Sequence, residues 1–66
     1  MTITVNNIAQ TIKNPSSIRE LLQQLSIPET GIAVAQNNRV VGKDQWNTTN
    51  IEEKDNITII QATQGG

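Results

Sequence analysis

The last two residues of the chain, Gly65 and Gly66, are those whose type and position could take part in chemistry. Because glycine has no Cβ, a Gly-Gly terminus can thread a narrow channel and leave its carbonyl carbon open to attack. A chain-terminal carboxyl group is ionised near neutral pH, so it must be activated before a nucleophile can add to it. Attack on the α-phosphate of ATP, giving an acyl-adenylate, is the simplest activation. A frayed chain end without a role is the competing interpretation.

The rest of the sequence has no motif that would activate this carboxylate. The chain contains no cysteine and no histidine, so it offers neither a thiolate nor an imidazole for catalysis or metal binding. It also lacks a P-loop and a dinucleotide-binding fingerprint. The acidic residues Glu52, Glu53 and Asp55 could suggest acid–base chemistry or a weak metal site, but without histidine a solvated loop is favoured. We therefore expect a protein that is not an enzyme and binds no cofactor, with ATP used by a partner.

Length, charge and composition predict one small soluble domain over residues 1–66. The formal net charge is −1, the five Lys and Arg are scattered, and Trp46 is the only aromatic residue, which argues against a nucleic-acid-binding surface. No apolar run approaches the roughly 20 residues that cross a bilayer, and the N-terminus lacks a signal-peptide pattern. We expect a cytoplasmic protein, monomeric when free, with no membrane partner.

Two Asn-Asn pairs, at 6–7 and 37–38, each lie between short apolar runs. Asn tolerates the left-handed backbone of a two-residue primed turn, so each pair predicts a β-hairpin. In the first hairpin, Ile8 and Ile12 should lie on one face of the second strand.

The segment "NITIIQ" predicts a final strand in which Ile57 and Ile59 face one side and Ile60 the other. Ile60 would then be exposed just before the end of the chain, where it could dock a partner or be an ordinary exposed residue. The residues that follow have no apolar periodicity, so we expect a flexible tail over 61–66.

One segment, "NPSSIRELLQQLSIP", predicts an amphipathic helix of two to three turns. Its apolar residues follow the i, i+3, i+4, i+7 spacing of one helical face. Ser17 and Glu20 stand in capping-box relation at its start. One helix cannot cover both faces of a sheet, so we expect an α+β roll with one mixed sheet of four to five strands packed against one main helix. Trp46 would either complete that core or anchor an interface.

These elements, in this order, resemble the ubiquitin-like β-grasp sulfur carriers, most closely those of thiamine biosynthesis. The resemblance covers all 66 residues and depends on five segments: "SSIRELLQQL", "GIAVAQNNRVV", "KDQW", "IEEKDNITII" and the terminal Gly65-Gly66. Members of the family often have Gly-Asp where this chain has Lys54-Asp55, and Pro-Arg where it has Gly42-Lys43.

The resemblance implies a carrier whose Gly66 carboxylate is adenylated by an E1-like adenylyltransferase with MgATP. Sulfur from a cysteine desulfurase would then give a C-terminal thiocarboxylate, which would donate sulfur to thiazole synthase. Gly65 and Gln64 would thread the partner's channel, and Ile60 would dock. Three alternatives stay open: a similar carrier for the molybdenum cofactor, a β-grasp modifier conjugated to lysines, and a plain interaction module that works without the tail.

Overall fold

The computed structural model describes residues 1–61, which form a five-stranded sheet with one α-helix on one of its faces. The elements are β1 (Thr2–Val5), β2 (Ile8–Thr11), α1 (Ile18–Gln24), β3 (Ile32–Gln36), β4 (Arg39–Val41), a short 3₁₀ helix (Lys43–Gln45) and β5 (Asn56–Gln61). The strand order is β2-β1-β5-β3-β4. The central pair β1 and β5 is parallel, and the remaining pairs are antiparallel. The predicted α+β β-grasp roll is confirmed.

Both hairpin turns form at the Asn-Asn pairs, as predicted. The φ angles are 51° and 68° at Asn6 and Asn7, and 51° and 70° at Asn37 and Asn38, the left-handed values that a type I′ turn requires at both central positions.

Ile8 and Ile12 lie on the same face, as expected, because the backbone bonds between Ile12 and Met1 continue the β1–β2 register beyond Thr11. Ile8 pairs with Val5 and so lies on the face that α1 covers, but it is 63% exposed because it is the first residue of an edge strand. Ile12 lies beyond the end of β2 and is buried.

The helix begins and ends where the sequence indicates. The Glu20 N–H donates to Oγ of the N-cap residue Ser17 at 3.3 Å. The reciprocal half of the predicted capping box is shifted by one residue, since Glu20 Oε1 accepts from the N–H of Ser16 at 3.0 Å. At the other end Ser26 takes a φ of 58°, and the Ile27 N–H donates to the Leu22 carbonyl at 2.9 Å, which is the 6→1 bond of a Schellman motif.

A single hydrophobic core lies between the helix and the sheet. Its helical residues are Ile18, Leu21 and Leu22, all fully buried. Trp46 belongs to this core, with 1% of its surface exposed and its indole N–H donating to the Val41 carbonyl at 2.9 Å. Of the two roles open for Trp46 in the sequence, the structure supports the core. No helix within residues 1–61 is long and apolar enough to span a bilayer.

Candidate functional site

Three of the predicted site residues, Gln64, Gly65 and Gly66, lie outside the described residues. The described part of the site therefore ends at Gln61, from which the tail continues. Gln61 was expected to begin the tail, but it is the last residue of β5 and pairs with Ile32 of β3. β5 thus includes Gln61, which the sequence assigned to the tail.

The side chain of Asn6 holds β5 near the start of the tail. Its backbone N–H donates to the Ile57 carbonyl at 2.9 Å. Its side-chain amide then accepts from the N–H of Ile59 at 2.8 Å and donates to the carbonyl of Ile59 at 3.2 Å. The amide group thus takes the place of a further β1 residue, and it satisfies both backbone groups of Ile59 after β1 has ended.

Asn37 does the same for the other end of β5. Its backbone N–H donates to the carbonyl of Asn56 at 2.7 Å, and its Oδ1 accepts from the N–H of Asn56 at 2.9 Å. From the sequence, both asparagines are predicted only as turn residues. The signal that could have found their second role is that the same residue opens both turns, since either Asn or Gly suits such a turn.

Asp55 contradicts the expectation of a solvated acidic loop. It is only 8% exposed, and its carboxylate accepts from Gln36 Nε2 at 2.8 Å, from Asn37 Nδ2 at 3.1 Å and from the Glu52 N–H at 2.9 Å. Burial raises the pKa of Asp55, but the hydrogen bonds from Glu52, Asn37 and Gln36 together lower it by more, so its pKa lies below the ordinary value of 3.8. Asp55 is therefore an ionised structural acceptor that ties the second turn to the start of β5.

The other two acidic residues of this loop, Glu52 and Glu53, are exposed as expected. Glu53 accepts from the N–H of Thr2 at 3.1 Å through Oε2. Within residues 1–61, no three acidic side chains come together as a metal site would require.

The sheet face opposite the helix, here called the open face, carries no charged residue. The strand registers place ten residues on it: Ala9, Thr11, Thr2, Thr4, Asn56, Thr58, Ile60, Ala33, Ala35 and Val40. Ile60 is 60% exposed and lies beside Ala33, while Val40 is 81% exposed and lies beside Ala35. The predicted exposure of Ile60 is confirmed, whereas its role in docking stays a prediction.

The geometry of residues 1–61 can present a chain end to a partner. The strand that leads to the tail is the central one, and it is hydrogen-bonded to β1 and β3 and to the side chains of Asn6 and Asn37. A tail attached to such a strand starts from a fixed position. Beside that position lies an uncharged surface whose two exposed aliphatic residues, Ile60 and Val40, face away from the core.

Comparison with known proteins identifies chains of similar sequence and fold. The sequence profile of the ThiS family matches residues 3–66. The chain is 32% identical over 66 residues to the sulfur carrier protein ThiS of Escherichia coli K12, with all of both chains covered. It superposes with a TM-score of 0.84 on the crystal structure of the thiamine biosynthesis protein ThiS from Geobacter metallireducens, at 23% identity and with both chains fully covered. A solution structure of a thiamine biosynthesis protein from the same organism gives a TM-score of 0.79 at 23% identity, covering all of this chain and 88% of that one. The two structural matches concern the fold.

Proposed function

The chain belongs to the ThiS family, and on that basis we propose that it carries sulfur for thiamine biosynthesis as a thiocarboxylate on Gly66. The observation that carries the proposal is the extent of the family match, which runs from residue 3 to residue 66 and so includes Gly65 and Gly66. The similarity to the sulfur carrier protein ThiS of Escherichia coli supports the same role.

The chemistry follows from what the chain has and lacks. The Gly66 carboxylate attacks the α-phosphorus of MgATP on an E1-like adenylyltransferase, and pyrophosphate leaves. The outer sulfur of a persulfide, supplied through a cysteine desulfurase, then adds to the carboxyl carbon and displaces AMP, and a thiol reductant cleaves the sulfur–sulfur bond of the acyl disulfide that forms. The product is a thiocarboxylate that donates its sulfur to thiazole synthase. Because the chain has no cysteine, no internal thiol competes for the acyl group.

Covalent geometry limits where a partner enzyme can sit. Five residues, 62–66, follow Gln61, and an extended chain spans at most about 3.6 Å per residue, so the carboxylate lies within roughly 18 Å of Gln61. An enzyme that binds this carboxylate must therefore come within roughly 18 Å of Gln61. Ile60 is the adjacent exposed aliphatic residue, which supports it as a docking residue, with Gly65 and Gln64 threading the channel.

The decisive experiment is mass spectrometry of the C-terminus. Incubated with MgATP, the adenylyltransferase and a sulfide source, the protein should gain the mass difference between sulfur and oxygen, and tandem spectra should place it on Gly66. Sulfur on any other residue would contradict the carrier mechanism. A protein that is never adenylated, or that functions with Gly66 deleted, would favour the plain interaction module.

Two glycine variants test the steric argument. Gly66→Val keeps the carboxylate but puts a branched side chain beside it, so loading should fail. Gly65→Ala should be milder if only chain width matters, because a methyl group is the smallest addition available. Thermal melts of both variants should coincide with that of the unmodified protein, which separates a loading defect from a folding defect. Normal loading of Gly66→Val would refute the steric argument.

A further inference from the structure

The last residue of β5 leaves a pair of backbone groups at an open edge of the sheet. Odd-numbered residues of β5 direct their N–H and C=O groups toward β1, as the bonds of Asn6 to Ile57 and Ile59 show. Successive residues of a strand alternate in this direction, so the backbone groups of Gln61 also point toward the β1 side. Among residues 1–61, no group bonds to them, because the chain has already turned away at Asn6-Asn7.

The place that β1 would occupy if it continued is bordered by an exposed aliphatic residue on one of its faces. Ile60, the residue before Gln61, is 60% exposed and borders it on the open face. An extended segment lying there would alternate its side chains between the two faces of the sheet. It could therefore contact Ile60 with a side chain that it directs to the open face.

We propose that an extended segment of the tail-activating enzyme adds to the sheet beside Gln61 in this place, pairing with the backbone of Gln61 and directing an apolar side chain onto Ile60. This inference rests on the proposed function, since an enzyme acting on the terminal carboxylate must come within roughly 18 Å of Gln61. Strand addition gives affinity through main-chain hydrogen bonds and specificity through alternate side chains. It would also fix the direction in which the tail enters the channel. Asn6 is a positioning residue here, because its amide closes the β1–β5 ladder and leaves Gln61 as the first residue available for pairing.

The test removes one backbone donor by chemical synthesis, replacing the peptide bond before Gln61 with an ester. The matched control is the same replacement before Ala9, whose N–H points to the outer edge of β2, since Gln10 and not Ala9 exchanges bonds with Ile3. In both proteins the ester removes an edge N–H and weakens a carbonyl within the sheet. Affinity for the purified adenylyltransferase is measured with MgATP absent.

The Gln61 ester should bind about threefold to tenfold more weakly than the unmodified protein, the effect of one lost hydrogen bond, and the Ala9 ester should bind normally. Amide exchange of Gln61 should be fast in the free protein and slow in the complex. The inference is overturned if the Gln61 ester binds the adenylyltransferase as tightly as the unmodified protein does. It is also overturned if the Ala9 ester loses as much affinity as the Gln61 ester. Either result leaves the carrier function intact. Slow exchange of Gln61 in the free protein at high concentration would assign the edge to a second copy of the chain and overturn it too. If the unmodified protein is neither bound nor adenylated, the proposed function fails first.

Discussion

Aspartate at position 59 and aspartate at position 60 should have opposite consequences, although the two isoleucines are neighbours in β5. Ile59 is 9% exposed and belongs to the core, while Ile60 is 60% exposed on the open face. Ile59→Asp should therefore unfold the domain. Ile60→Asp should leave it folded and impair docking of the adenylyltransferase.

The magnitudes follow from burial. A domain of 66 residues has a free energy of unfolding of about 3–10 kcal/mol at roughly 0.05–0.15 kcal/mol per residue. Removing a buried isoleucine side chain costs about 2–5 kcal/mol, and an unpaired carboxylate in its place adds several kcal/mol more. In Ile60→Asp, less than half of the side-chain surface loses its burial, which costs about 1 kcal/mol of the free energy of unfolding. The lower strand preference of aspartate costs up to about 1 kcal/mol more. Only Ile59→Asp therefore costs as much as the whole free energy of unfolding of the domain.

The assay is urea denaturation followed by the fluorescence of Trp46, which is the only tryptophan and is buried. Ile60→Thr keeps a β-branched side chain without the charge, so it separates the loss of apolar surface from the effect of the carboxylate. For docking, Thr11→Asp places the same charge on the same face at the far edge of the sheet. It should leave the KM for adenylation unchanged, whereas Ile60→Asp should raise it.

Two outcomes would refute this reasoning. If Ile60→Asp unfolds and Ile59→Asp does not, the register of β5 is shifted by one residue, which exchanges its faces. If Ile60→Asp folds and is adenylated with an unchanged KM, Ile60 is an ordinary exposed residue.

Three further predictions concern stability. Asn6→Gly keeps the turn but removes the side-chain bonds to Ile59, so it should lower the free energy of unfolding by about 1–3 kcal/mol. Asn7→Gly is the control and should be nearly neutral. Equal effects of the two substitutions would contradict the bridging role of Asn6. Lys54 has a φ of 70°, so Lys54→Gly should relieve about 1–2 kcal/mol of backbone strain. After the entropy cost of glycine, the free energy of unfolding should rise by up to about 1 kcal/mol. Lys54→Ala should give no such rise in urea denaturation. The pKa of Asp55 is lowered by folding from 3.8, so its contribution to stability is complete above that value and is lost as the pH falls through the lower folded pKa; Asp55→Asn should be less stable at pH 7 and show a smaller loss on acidification, and identical pH profiles would contradict this role.

Local patterns in the sequence were sufficient to predict the helix, the two turns and the buried and exposed faces of β5. The apolar spacing gave the helix, the asparagine pairs gave both turns, and the alternation of Ile57, Ile59 and Ile60 gave the buried and exposed faces. Each of these depends on steric and burial preferences that act within a few residues of the chain.

The sequence alone was therefore enough for the set of elements and for the hypothesis about the terminus, since neither depends on distant contacts. The tertiary fold was needed to show that Asn6 bonds to Ile59, 53 residues away, that Asp55 is buried among amide donors, and that Gln61 extends past the end of β1. Side-chain hydrogen bonds to a distant backbone leave no periodic pattern in the sequence. They exist because the parallel pairing of β1 with β5 brings the first turn beside the end of the last strand, and that pairing joins residues from opposite ends of the chain.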